Sequence, residues 1–114
     1  MELITNRTHT DVLLGNEKGF YGVADMNRVE SAVLELAEML RVAGSSYTPV
    51  VKTNWSEGEM PGPDDLARYL GNVAELCRLS GVNAALPDSM DRLNWEGANQ
   101  IEAALMAVSE KLSH

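Results

Sequence analysis

Few side chains in this chain are equipped for chemistry, and their spacing limits what they can do. Cys77 is the only cysteine. A nucleophilic thiol needs a nearby base and a polar, partly exposed setting. Cys77 instead falls on the apolar line of a helical segment, and it reads as a buried structural thiol. The two histidines are His9 and His114. No His-x-x-His, Cys-x-x-Cys or His-Glu-x-x-His spacing exists, so no transition-metal site is expected. Asp88, Asp91 and Glu96 invite a calcium reading, but they lack the alternating ligands and central glycine of an EF-hand loop. Gly15 to Gly19 enclose a lysine without the Gly-Lys-Ser/Thr ending of a phosphate loop. Glu57 and Glu59 form a carboxylate pair of the kind that does acid–base work. They lie in a polar, proline-bounded loop, where solvated charge is the default. No catalytic residue, metal ligand or cofactor is therefore assigned. Asn6-Arg7-Thr8 and Asn54-Trp55-Ser56 match the glycosylation sequon, which carries meaning only in a secreted chain.

The aromatic residues are Phe20, Tyr21, Tyr47, Trp55, Tyr69 and Trp95. Buried rings of this size close the ends of a small bundle, and that is their default role. Exposed ones are frequent interface anchors. Tyr21, Tyr47, Trp55 and Trp95 are the partner-contact candidates, with Trp55 also expected to anchor its loop.

The elements that position these residues are helical. Thr8 with Asp11 has N-cap spacing, followed by Val12, Leu13 and Leu14, and Gly15-Asn16 stops this short first helix. Met26, Val29, Val33, Leu36 and Leu40 recur at steps of three and four, predicting a second helix over about 23–43. Glu30, Glu35, Glu38 and Arg41 fall off that stripe, with Glu38 and Arg41 close enough to pair. Residues 45–62 read as an extended loop. Pro63 opens a third helix with Asp64 and Asp65 in its first turn. Its apolar line is Leu66, Leu70, Val73 and Cys77, with Tyr69 and Leu76 beside it, and Gly81 ends it. Ser89 to Leu93 are expected to form one helical turn. Asn94 caps a last helix carrying Ala98, Ile101, Leu105, Val108 and Leu112.

The second and last helices superpose at an offset of 72 residues. Asn27, Glu30, Ala32, Glu38 and Leu40 match Asn99, Glu102, Ala104, Glu110 and Leu112. Shared amphipathic design explains the apolar matches without duplication; the common Asn-x-(Val/Ile)-Glu is more specific. Asn27 and Asn99 sit near helix N-termini, where a side-chain amide can bind a neighbouring loop backbone.

With 114 residues, the chain is one domain, residues 1–114, by length. Hydrophobic residues make up 45% and charged residues 23%, as in ordinary globular proteins. The formal charge of −8 repels phosphate, arguing against nucleic acid and anionic membranes as partners. No apolar run approaches the ~20 residues of a membrane span. The N-terminus lacks the charged and apolar pattern of a secretory signal.

A set of motifs in order carries a resemblance. They are Asn6-Arg7-Thr8 with Asp11-Val12, Tyr21, Asp25-Met26-Asn27-Arg28-Val29-Glu30, and Lys52-Thr53-Asn54-Trp55. Pro61, Leu66, Arg68-Tyr69-Leu70 and Asn72-Val73 follow. Leu86-Pro87, Met90, Leu93 and Glu96-Gly97-Ala98-Asn99-Gln100-Ile101-Glu102 complete the series. This order resembles small proteins encoded in the tail and host-recognition gene region of prophages from gut Firmicutes, over nearly the whole chain. The chain departs from that pattern with Asn54 in place of Asp and a shorter loop after the first helix. The resemblance implies a tail-assembly context, in the bacterial cytoplasm during assembly or in the virion. It brings no catalytic residues.

The expectation is an all-α domain of three main helices plus a short N-terminal one, with Trp55 and the 45–62 loop covering one side of the bundle. The leading functional expectation is a non-enzymatic structural or adaptor protein of a prophage tail or baseplate, able to form a homo-oligomer. The alternatives are an acidic inhibitor or antitoxin-like module for a basic protein, and a small enzyme using Cys77 or the acidic loops.

Overall fold

The structure is a computed structural model and describes residues 3–15, 22–59, 61–90 and 93–113. The described residues contain four helices in order: α1 (His9–Leu14), α2 (Val23–Val42), α3 (Pro63–Ser80) and α4 (Trp95–Leu112). The described residues contain no strand. The fold is a small all-α bundle in which α2, α3 and α4 pack on one another.

Local chemistry sets the helix boundaries. Thr8 and Asp11 form a reciprocal capping box at the start of α1. Gly22 and Gly62 have no side chain to cap with, so only the reverse half of the box exists at α2 and α3. There the Gly22 and Gly62 N–H groups donate to the carboxylates of Asp25 and Asp65. Asn94 Oδ1 accepts the Gly97 N–H at 2.8 Å and opens α4. At the end of α3, Gly81 adopts the left-handed conformation at φ 76°, and the Val82 N–H reaches back to the Cys77 carbonyl at 2.9 Å. Residues 89, 90 and 93 are non-helical, correcting the expected turn of helix there; a Leu93 N–H to Met90 carbonyl bond closes a bend. The rest of that segment, Asp91 with its calcium reading included, lies outside the described residues.

The core is the seam between the three long helices. Val29, Val33, Leu36 and Leu40 of α2 meet Tyr69, Val73 and Leu76 of α3 and Ile101, Leu105 and Val108 of α4. The α3 face is rotated from the expected line. Tyr69, Val73 and Leu76 are fully buried, while Leu66 and Leu70 are only partly so. Tyr69 is the largest fully buried side chain, and seating that ring between two neighbours turns the helix towards it.

Both long connections lie against the bundle. Tyr47, Val51 and Trp55 of residues 45–62, and Val82, Ala84, Leu86, Met90 and Leu93 of the α3–α4 connection, pack on the core. Residues 45–62 therefore cover one side, as expected, with Trp55 as the anchor. In contrast, α1 buries none of its residues, and Leu13 and Leu14 are 73% and 72% exposed.

Candidate functional site

Extended backbone that joins no sheet must find other partners for its N–H and C=O groups. Two such segments, residues 4–7 and 52–55, find them on helix side chains, and they do so in the same way. We call them strap 1 and strap 2.

Strap 2 lies on α2. Asn27 is one turn inside the helix. Its Oδ1 accepts the Trp55 N–H at 2.7 Å and its Nδ2 donates to the Trp55 carbonyl at 2.9 Å. Glu30 is on the same face one turn later. Its carboxylate accepts the Lys52 N–H at 3.1 Å and the Trp55 Nε1–H at 2.6 Å. Arg68 of α3 pairs with Glu30 and also donates to the Val50 carbonyl at 2.7 Å.

Strap 1 lies on α4. Asn99 Oδ1 accepts the Arg7 N–H at 3.0 Å, and Asn99 Nδ2 donates to the Arg7 carbonyl at 2.9 Å. Glu102 accepts the Ile4 N–H at 3.0 Å and a bond from the Arg7 guanidinium. Arg28 of α2 closes the site with a fork onto Glu102 at 2.7 and 2.8 Å. Asp25 accepts from both Arg7 and Arg28.

The two clasps therefore share one plan. An Asn clamps one residue of the strap through its backbone. A Glu three positions on takes the N–H three residues upstream and the side chain of the clamped residue. An Arg from a neighbouring helix balances the Glu. Even the turn after each strap is repeated. The Thr8 N–H and hydroxyl donate to Asp11, at 2.9 and 3.0 Å. The Ser56 N–H and hydroxyl both donate to Glu59, each at 2.7 Å.

The electrostatics follow from burial. Glu30 and Glu102 are 1% and 0% exposed, which a carboxylate tolerates only when paired and hydrogen-bonded. The Glu102 carboxylate holds the Arg28 guanidinium above its ordinary pKa, against the opposing effect of burial. Glu59 is lowered to about 2, chiefly by its hydrogen bond to Lys52 and then by Ser56. Burial pushes the Cys77 thiol up, away from nucleophilic character. Among the described residues no grouping of three His, Cys, Asp or Glu side chains is placed to hold a metal ion. No helix there is long and apolar enough to cross a membrane.

The partner-contact candidates separate. Trp55 is 6% exposed, and its indole is held by Glu30. Of the two roles expected of it, it fills the packing anchor and has little surface to offer a partner. Tyr47 is partly buried and donates its hydroxyl to Asn72 Oδ1 at 2.8 Å; burial, and then Glu75, raise its pKa. Trp95 is partly buried at the first position of α4. Tyr21 and Phe20 lie outside the described residues, as do most of the Gly15–Gly19 turn and His114. Glu59 of the carboxylate pair belongs to the strap 2 turn and bonds Lys52; Glu57 is exposed.

The expected backbone-binding role of Asn27 and Asn99 is what the structure contains. Arg7, Asp25, Glu30 and Glu102 are the clasp residues that pattern reading missed. For Arg7 the signal was a repeat; for Glu30 and Glu102 it was the shared Asn-x-(Val/Ile)-Glu alone, and Asp25 had none. The two sequon tripeptides belong to a longer echo, Thr5-Asn6-Arg7-Thr8-x-x-Asp11 and Thr53-Asn54-Trp55-Ser56-x-x-Glu59, 48 residues apart. No family model matches this chain, and neither a curated protein nor a solved structure matches it.

Proposed function

We propose that this chain is a non-enzymatic, prophage-encoded structural or adaptor protein of the tail or baseplate region, acting by packing against other proteins. The tail context rests on the resemblance of its ordered motifs. The packing role rests on one observation: the buried ionisable groups serve architecture. Asp25, Glu30, Glu102 and Arg7 are all engaged in the clasps, and among the described residues no buried side-chain nitrogen or oxygen lacks a hydrogen-bond partner. Groups locked in this way hold two backbone segments in place, as a rigid assembly part requires.

Mass spectrometry of purified particles, after induction of the parent prophage, tests the tail reading. Stoichiometric presence is expected. Abundance in the lysed cell with absence from intact particles would remove it.

One observation favours a second reading, an acidic inhibitor or antitoxin-like module for a basic protein. Arg7, Arg28, Arg41, Lys52, Arg68 and Arg78 are all in ion pairs. The formal charge is −8, and among the described residues Glu35, Glu57, Asp64, Asp88, Glu96 and Glu110 are exposed. Binding to a basic partner that weakens steeply with salt would distinguish it.

A further inference from the structure

The two clasps differ in where the cation sits. In the α4 clasp it is Arg7, carried by strap 1 itself. Arg7 faces Asp25 of α2 and Glu102 of α4, and both carboxylates also pair with Arg28 of α2. Asp11, on the same segment as Arg7, is turned to Thr8. In the α2 clasp the cation facing Glu30 is Arg68, carried by α3, with Asp65 at 4.0 Å from the same guanidinium. Lys52 of strap 2 is turned to Glu59. Acid removes the carboxylate charge at both clasps, while a guanidinium keeps its proton throughout. The side chains of Arg28 and Arg68 are 21% and 20% exposed, so each reaches water by turning, with its helix left in place. The Arg7 side chain is 2% exposed and its backbone is clamped by Asn99. It reaches water only when strap 1 lifts off. We propose that strap 1 is an acid-opened latch: loss of charge on Glu102 and Asp25 expels Arg7, and residues 4–14 leave the bundle while α2, α3, α4 and strap 2 stay folded.

Two observations support a local opening. First, the same carboxylate holds both ends of the strap. Glu102 accepts the Ile4 N–H and a bond from the Arg7 guanidinium. It attracts Arg7 only while ionised, so the latch is closed at neutral pH and released as the pH falls. A buried cation left without its carboxylates is strongly unfavourable. Second, the opening uncovers little of the core. α1 buries none of its residues, and Leu3, beside the strap, is only partly buried against the core. Strap 2 instead carries Trp55, 6% exposed, into the core, with Tyr47 and Val51 packed on it. Releasing strap 2 exposes a large apolar surface to water. Releasing strap 1 leaves the seam of the three long helices in place, the condition for opening below the global unfolding free energy. The inference stands on the clasps and not on the tail reading.

Amide hydrogen exchange of the full chain, followed by NMR at falling pH, tests the latch. Protection is taken relative to an unstructured chain at the same pH. The Arg7 amide reports strap 1, because its acceptor, Asn99, does not titrate. The Trp55 amide, bonded to Asn27, reports strap 2 in the same way. The Arg7 amide is expected to lose its protection at a higher pH than the Trp55 amide, with the helical circular dichroism of the bundle retained between the two. Glu102→Gln removes the charge and keeps an oxygen for the Ile4 N–H; it is expected to move the opening of strap 1 to higher pH. Adding Arg7→Gln takes away the cation to be expelled and is expected to move the opening back down. A single transition that takes the Arg7 amide, the Trp55 amide and the helical signal together overturns the proposal. So does a Glu102→Gln chain without helices, since either result shows that strap 1 cannot leave alone. An opening that Glu102→Gln does not move, or that Arg7→Gln does not move back, overturns the charge mechanism. None of these results bears on presence in the phage particle.

Discussion

The α2 and α4 clasps use the same frame for two different side chains. On α2 the clamped residue is Trp55, and one carboxylate suffices because the indole brings one N–H and a large apolar body. On α4 the clamped residue is Arg7, and the site needs two carboxylates and a second guanidinium to keep a buried charge neutral. The difference shows which part of the device is general. Backbone capture by Asn and Glu is independent of the strap's side chain; that side chain then decides whether the pocket is mainly apolar or ionic. The same comparison predicts unequal sensitivity to damage.

The largest inequality is expected at the glutamates. Glu102→Ala removes a carboxylate from Arg7, whose side chain is 2% exposed, and removing one partner of a buried ion pair costs about 3–5 kcal/mol. Glu30→Ala leaves Arg68, whose side chain is 20% exposed and can turn to water. It also strands the Trp55 indole Nε1–H, an unsatisfied donor costing about 1–3 kcal/mol. Urea unfolding followed by circular dichroism should therefore give a lower midpoint for Glu102→Ala than for Glu30→Ala. The reverse order would mean that the ionic clasp is the weaker of the two.

The asparagines sharpen the comparison from the other side. Each makes the same two backbone bonds. Asn27→Ala and Asn99→Ala should cost similar amounts, about 1–3 kcal/mol for the stranded backbone groups. Unequal losses measured by the same unfolding curves would show that the frame is not shared energetically.

The legibility of the molecule divides along the same line. Helix positions and caps could be read because local rules decide them: Thr8 with Asp11, Pro63, Gly81 and Asn94 all act within one turn of their own position. Asn27 and Asn99 were legible as backbone binders because a side-chain amide near a helix start has few other uses. Glu30 was not. By periodicity it falls beside the apolar stripe and reads as solvated, and only a strap arriving from 22 residues away at Lys52 makes its burial favourable. Glu102 needs Arg7 from 95 residues away. Ion pairs between distant segments leave no periodic trace. A polar residue repeated with its neighbour, as in Asn-x-x-Glu, leaves only the repeat itself.

A smaller effect is expected at the turns after the straps. Thr8 caps α1 by accepting the Asp11 N–H at 3.2 Å, and Thr8→Ala should weaken α1 by about 1 kcal/mol, the usual effect of losing an N-cap. Because α1 buries nothing, the loss should appear as faster amide exchange within residues 9–14, with the global unfolding midpoint nearly unchanged. A matching drop in global stability would show that α1 is coupled to the bundle after all.

The smallest effect is the titration of Glu59, which lies in the turn after strap 2. Its carboxylate is held at about 2 by Lys52 and Ser56, against an ordinary value of 4.5. The folded pKa is the lower one, so the unfolded chain binds the proton first as the pH falls. The contribution to stability is complete above about 4.5 and is lost progressively as the pH drops towards 2. Since the Glu59 side chain is 35% exposed, solvent screens much of this effect, and the direct reading is the carboxyl carbon shift by NMR. A midpoint near 2 in the native chain, rising towards 4.5 in Lys52→Met, is the expected result. A native midpoint already near 4.5 would mean that neither the Lys52 contact nor the Ser56 bonds hold the carboxylate in water.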